Sequence, residues 1–232
     1  MNGITTLPKA ILKTIIAAIA LSAAFTGAAH AGKKDKAERL VTRAEASVKD
    51  FVADPEMSWL RDNMSKAKAV IIVPQSVKGG FIWGGSGGNG VLLAKSAKDD
   101  GWTSPAFYTL GSVTFGLQIG AEVAEIILLV MTDRGKERVI NSSLKLGADA
   151  SIAAGPVGAG AKAQTADILA FSRAKGVYGG INLEGAVIKQ RDAWNEAYYG
   201  QAVRPSDIIL RENVANEQAA SLKSALSTLA SQ

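Results

Sequence analysis

Residues 85–94 read Gly-Ser-Gly-Gly-Asn-Gly-Val-Leu-Leu-Ala, and residues 69–74 before them read Ala-Val-Ile-Ile-Val-Pro. The apolar run from Ala69 to Val73 has the length and composition of a buried strand, which Pro74 is expected to stop. The glycine cluster formally matches G-x-G-x-x-G. A dinucleotide site, however, needs a helix directly after the glycines, so that its N-terminus faces the pyrophosphate. Here Val91-Leu92-Leu93-Ala94 reads as strand, and no acid stands near the ~20-residue offset such a site requires. No Lys-Ser/Thr pair follows, so a phosphate-binding P-loop is excluded as well. A glycine hairpin or bulge is what remains. Glycine weakens a strand interior and is kept where a sheet bends, bulges or admits another backbone closely. Glycines inside several β segments therefore predict a strongly curved antiparallel or barrel-like sheet.

Other β-prone segments support this: Gly80–Trp83, Ala106–Leu110, Thr114–Ala121, Glu125–Met131, Lys145–Ala153, Gly158–Thr165, Ile168–Arg173 and Val177–Glu184. Turn residues at 99–101 and 133–135 punctuate them, with a short helix expected over 136–143. This spacing fits antiparallel hairpins better than βαβ units. Gly116 and Gly120 have G-x-x-x-G spacing, but Gln118 and Glu122 argue against a membrane helix there.

Helices are expected at both ends. From Lys33 to Ala53, the residues Ala37, Leu40, Val41, Ala44, Val48, Phe51 and Val52 form one apolar stripe at helical spacing. Lys36, Arg39 and Arg43 line one flank of it, and Asp35, Glu38 and Glu45 line the other. Asp54-Pro55 reads as N-cap and first residue of a second helix carrying Met57, Leu60 and Met64 inward. Ala186–Tyr199 reads as a helix, and Val214–Ala230 repeats apolar residues at helical spacing. The fold class is α+β.

Residues 1–31 read as a secretory signal peptide. Lys9 and Lys13 precede an uncharged stretch that ends at Ala29-His30-Ala31, a small-x-small cleavage site. The most apolar part, Ile15 to Phe25, is shorter than the ~20 residues a spanning helix needs. Cleavage is expected after Ala31, giving a periplasmic or secreted protein. The rest, 32–232, is expected to form one domain: helices over 33–66, a β core over 67–185 and a helical region over 186–232. Loss of Lys9 and Lys13, with no acid in that segment, lowers the formal net charge from +5 to +3. Such a small excess gives no reason to expect nucleic acid.

The chain has no cysteine, and its one histidine, His30, lies in the expected signal segment. The mature protein would therefore lack lipoprotein anchoring, disulfides, His- or Cys-based metal sites and imidazole-based triads. No catalytic residue, metal or cofactor is assigned. Glu122, Glu125 and Glu184 stand in or near apolar strand runs, where a carboxylate is more often hydrogen-bonded than catalytic. Asp192 and Glu196 read as a solvated helix face. Trp83 and Trp102 read as space-filling beside small residues, with a ligand-facing rim as the alternative. An outer-membrane barrel is disfavoured by the irregular strands and the polar C-terminal helix.

Six short motifs occur in order: Ala67-Lys68-Ala69, Lys78-Gly79-Gly80-Phe81, Gly101-Trp102-Thr103-Ser104-Pro105, Gly116-Leu117-Gln118-Ile119-Gly120-Ala121-Glu122, Gly155-Pro156-Val157-Gly158 and Leu183-Glu184-Gly185. As a set they resemble the SYLF family of lipid-binding domains, from about Lys36 to Leu210. The resemblance implies a glycine-rich β domain with helices at its ends. For eukaryotic relatives it implies binding to phosphoinositide membranes through a basic amphipathic helix, and actin binding in some. An export signal disfavours actin and phosphoinositides as ligands here and points to an acidic phospholipid surface. Candidate lipid-binding residues are Lys33, Lys34, Lys36, Arg39, Leu40, Val41 and Arg43, the first helix lying in the headgroup layer. Lys78, Arg173 and Lys175 would form a second basic patch if their loops converge. The alternative is a periplasmic interaction protein that binds an envelope protein and no lipid.

Overall fold

The computed structural model describes residues 9–80, 83–115, 120–155, 165–174, 177–178 and 183–231, with side chains outside 1–30, 79–84, 113–121, 156–164, 175–182 and 232. The expected strand over 158–165 falls mainly outside the described residues. The fold is α+β. Helix α1 spans Lys9–Ala53, followed by a 3₁₀ turn, Pro55–Met57, and α2, Ser58–Met64. Four long strands come next: β1 (Ala69–Gly80), β2 (Trp83–Ala94), β3 (Ala106–Phe115) and β4 (Gly120–Val130). After them come α3 (Asp133–Asn141), β5 (Leu144–Lys145), β6 (Ile152–Ala154), β7 (Ile168–Ala174), β8 (Val177–Tyr178) and β9 (Val187–Gln190). The chain closes with α4 (Asp192–Tyr199), α5 (Pro205–Ile209) and α6 (Ala220–Ala230).

Among the described residues, nine strands form one curled sheet in the order β5-β9-β3-β2-β1-β4-β7-β6, with β8 on β7. All pairings are antiparallel except β6 with β7. Both faces are buried over half their length. Val70, Ile72, Val91, Leu93, Phe107, Ile127 and Leu129 meet α1, α2, α4 and α6 on one face. Ala69, Ile71, Val73, Leu92, Tyr108, Ile126 and Leu128 point the other way, into a second core closed by α3, β5 and α5. A strand buried on both faces is continuously apolar, as Ala69–Val73 is.

Several elements differ from the sequence expectation. Pro74 does not stop β1. It sits in a bulge, where the register shifts between Ile72 and Gln75 against β2 and between Val73 and Ser76 against β4. A bulge leaves a residue outside the ladder, so the missing N–H of proline costs nothing there. The glycine cluster is neither hairpin nor loop but the middle of β2. A Cβ at Gly88 would lie 2.3 Å from the Gln75 carbonyl oxygen and 2.6 Å from a Val73 methyl; one at Gly90 would lie 2.8 Å from the Ile72 carbonyl oxygen. The glycines of β2 thus make room for the bulge of β1. Residues 133–135 open α3 rather than a turn, because Thr132 Oγ1 accepts a hydrogen bond from Gly135 N at 3.0 Å and caps the helix. The helical region expected from 186 begins instead with β9, which pairs with β3 and β5.

Helix α1 reaches back to Lys9 rather than starting near Lys33. The Ala- and Ile-rich run before it is helix-compatible, and Gly27 and Gly32 cost only ~1 kcal/mol each. Among the described residues no helix is long and apolar enough to cross a membrane. The C-terminal part of α1 lies across the strands. Asp50 meets Arg173 of β7 at 3.0 Å, Ser47 donates to Glu125 of β4 at 2.6 Å, and Arg43 donates to Gln75 of β1 at 3.2 Å. Lys33 shares a cleft with Thr109 of β3 and Lys189 of β9. From Lys33 to Asp50 the helix rises about 26 Å. The five strand spacings from β7 to β9 amount to about 24 Å. The helix is long enough to span the sheet, and its whole apolar stripe is used in doing so.

Leu40 and Val41, candidate lipid contacts on the sequence, are therefore core residues, 8% and 1% exposed. Leu40, Val41, Val48 and Phe51 each gain about 1.5–3 kcal/mol from burial. Lifting the stripe into a bilayer would forfeit that packing and bare the sheet beneath.

Two predictions follow from this packing. Gly88→Ala is expected to lower stability by about 2 kcal/mol or more through overpacking against the bulge, whereas Gly87→Ala, whose Cβ would make ordinary contact at 3.5 Å with the Leu110 carbonyl oxygen, should stay within ~0.5 kcal/mol; urea denaturation midpoints read both. Arg173→Met removes the guanidinium held at 2.6 Å by Glu125 and leaves that carboxylate half-buried. It is expected to cost about 1–3 kcal/mol, and much of the loss should return in the Arg173→Met, Glu125→Gln double variant.

Candidate functional site

The four long strands extend beyond α1, and two cross-strand rows emerge there. The register places Gln75 opposite Asn89, Asn89 opposite Thr109 and Thr109 opposite Lys189. This polar row borders the helix. Thr109 Oγ1 donates to Asn89 Oδ1 at 3.2 Å. Arg191 also donates to Asn89, reaches Thr109 Oγ1 at 3.5 Å and stacks over the Trp194 ring at 4.0 Å. Burial pulls the Arg191 guanidinium below its ordinary pKa. At the other end Glu125 accepts from Ser47 and Arg173.

One pleat further out runs an apolar row: Val123 opposite Val77, Val77 opposite Gly87, Gly87 opposite Gly111, and Gly111 opposite Val187. Residues two apart on a strand share a face, as do cross-strand partners. All five therefore lie on the face that α1 covers higher up, in a row about 19 Å wide. Val77, Val123 and Val187 are 46%, 44% and 38% exposed. Among the described residues only Leu210 joins them as an exposed large apolar side chain.

The glycines of β2 and β3 divide by face. Gly88 and Gly90 point to the second core and cannot accept a Cβ. A Cβ at Gly111 would approach nothing nearer than the Ser86 carbonyl oxygen at 3.9 Å. Gly87 and Gly111 are thus not demanded by packing, and their effect is to keep the middle of the exposed row bare.

The residues singled out on the sequence separate accordingly. Lys33, Lys36 and Arg43 share the flank of α1 at helical spacing, and the contacts of Arg43 and Lys33 turn that flank toward the bare sheet. Lys34 pairs with Glu38 at 3.9 Å, and Arg39 pairs with Asp35. On the opposite flank the Glu38 carbonyl accepts from Gln218, just before α6. Of the second basic patch, Lys78 and Arg173 lie on opposite faces of the sheet. Arg173 is held by Glu125 and Asp50: burial alone would lower its pKa, but the two ion pairs outweigh it and raise the value. Lys78 pairs in register with Glu122 and, one residue past Val77, points to the opposite face. Lys175 lies outside the described residues. Trp102 is buried beneath Lys95, as space-filling requires.

Sequence reasoning missed Val77, Val123, Val187, Gly87, Gly111, Lys189 and Arg191. The β-branched pair Val187-Ile188 was the available signal, but four residues directly ahead of a helix are easily absorbed into it.

A family model described as "Ysc84: Las17-binding protein actin regulator" matches residues 111–229, just over half of the chain. The SH3 domain-containing YSC84-like protein 1 of Homo sapiens is 28% identical over 165 residues, covering 68% of this chain and 48% of that protein, and the Bos taurus protein gives the same figures. LAS seventeen-binding protein 3 of Saccharomyces cerevisiae is 30% identical over 147 residues, 60% of this chain and 32% of the relative. The chain thus spans about half the length of the mammalian relatives it matches, and about a third of the yeast one. With a family model aligned over most of the sheet's second half and all the C-terminal helices, the chain belongs to the Ysc84 (SYLF) family.

Proposed function

We propose that this chain is a non-enzymatic, exported protein that binds peripherally to anionic phospholipid surfaces. Residues 1–31 serve as the export signal, and 32–232 act as a single lipid-binding unit. The observation that carries the reading is the exposed row Val123–Val77–Gly87–Gly111–Val187 running beside the cationic flank of α1. An apolar strip seats at the headgroup boundary, while adjacent cations meet lipid phosphates. In this arrangement the helix contributes charge from its outer flank, and the sheet rather than the helix stripe supplies the apolar contact.

A second reading has support in the comparisons. The matching family is described by Las17 binding and actin regulation, which stands against the expectation that actin is disfavoured. On that reading the same apolar row is a protein-docking surface.

The test uses protein as recovered from the expressing cell, its N-terminus read by mass spectrometry; export predicts a start at Gly32. Sedimentation with phosphatidylglycerol-containing vesicles should exceed that with phosphatidylcholine vesicles. At ~1 kcal/mol per cation near an anionic leaflet, the triple change Lys33→Glu, Lys36→Glu, Arg43→Glu should weaken the first at least ~tenfold, and Val77→Asp with Val123→Asp should weaken it too. Unchanged binding in both variants would sink the lipid reading, and co-sedimentation with actin filaments but not vesicles would favour the second.

A further inference from the structure

At one end of the exposed row the sheet, α4 and the flank of α1 enclose an open cleft of about 570 Å³. This falls within the range of small-molecule sites, ~300–1,000 Å³. Lys33, Lys189 and Arg191 line it together with one carboxylate, Asp192, so its charge is net positive. The cations come from three separate places: the flank of α1, β9 and the turn into α4. Arg191 is preorganised by its hydrogen bonds to Asn89 and Thr109 and by its stacking on Trp194. Those bonds use Nη1 alone. Among the described residues, Nε and Nη2 of Arg191 meet no acceptor, which leaves donors in the planar fork that suits a phosphate. Gly111, Val187 and Trp194 give the same cleft an apolar side, and its floor runs on along Gly87 toward Val77 and Val123.

We infer that this cleft and the row leading from it hold one molecule of an anionic phospholipid. Its phosphodiester lies among Lys33, Lys189 and Arg191, and an acyl chain lies along Gly111 and Gly87 against the exposed valines. Charge complementarity selects the headgroup. The two glycines that packing does not require clear the path for the chain. The inference rests on the membrane reading above and adds a discrete, saturable site to it.

The experiment titrates the same recovered protein with dihexanoyl phosphatidylglycerol below its micelle concentration, by calorimetry and amide chemical shifts. Dihexanoyl phosphatidylcholine and glycerol phosphate are the comparison ligands. One-to-one saturation by the phosphatidylglycerol is expected, with shifts at Gly87, Gly111 and Lys189. Lys189→Glu should weaken it about tenfold, equivalent to ~1.4 kcal/mol. Gly111→Leu is the decisive variant, because a Cβ there approaches nothing nearer than the Ser86 carbonyl oxygen at 3.9 Å and the fold should hold, as its melting temperature will verify. In a groove it blocks the chain and weakens short-chain binding about tenfold or more; on a flat contact it adds apolar area and strengthens vesicle binding. Equal affinity for glycerol phosphate, unaltered binding in Gly111→Leu, or no saturation would each overturn the site. Retained vesicle sedimentation without short-chain binding removes this site alone, and loss of both removes the membrane reading with it.

Discussion

A helix laid across a sheet covers a band of it and leaves the rest of each strand uncovered. Strands β1 and β2 are each 12 residues long, or about 40 Å, while a helix with its side chains is only ~10–12 Å thick. The docking of α1 through Ser47, Asp50 and Arg43 decides where that band falls. Everything on the buried side is continuously apolar. Everything beyond it needs a surface that solvent, or a ligand, will accept. The polar row Gln75–Asn89–Thr109–Lys189 marks the transition, and the valine–glycine row beyond it departs from a purely solvated edge.

The same docking sorts the charges of α1. Its acidic flank faces the C-terminal helices, where the Glu38 carbonyl and Thr42 engage Gln218. Its basic flank faces the uncovered sheet. Of the six cations from Lys33 to Lys49, three, Lys34, Arg39 and Lys49, spend their charge on i,i+4 partners, pairs that contribute only ~0.3–0.5 kcal/mol each. Lys33, Lys36 and Arg43 remain beside the exposed row. A formal net charge of +5 for the whole chain says little about this, because what a partner meets is the local arrangement and not the sum.

The helix period made the stripe of α1 legible from the sequence down to individual residues, and the β character of the core followed from composition and glycine placement. The direction in which the stripe points was not legible. A helix that packs on a sheet and one that lies in a headgroup layer present the same periodicity, so Leu40 and Val41 fitted both uses. Pro74 was misjudged because proline excludes a ladder position, and only the structure shows that the bulge supplies a position off the ladder. The exposed row was invisible for a different reason. Val77 stands between Ser76 and Lys78, Val123 between Glu122 and Ala124, and Val187 between Ala186 and Ile188; the three are far apart in the chain, and only the strand register assembles them.

The glycines carry the last step. A strand interior pays for each glycine in conformational entropy, so a cluster of them needs a reason at every position. At Gly88 and Gly90 the reason lies within the fold, since the bulge of β1 occupies the space of their side chains. At Gly87 and Gly111 it does not, because a methyl would fit and a β-branched residue would suit the strand better. Valine at those two positions would complete an unbroken apolar band from Val123 to Val187, the kind of exposed strip that invites sheet-to-sheet aggregation. Glycine there breaks the band and at the same time leaves a shallow channel at its centre, flanked by valines and leading to Lys189 and Arg191. Avoidance of aggregation alone would be met as well by serine or threonine, which cost less entropy and solvate the face. Glycine is the choice that also keeps the channel open to something apolar.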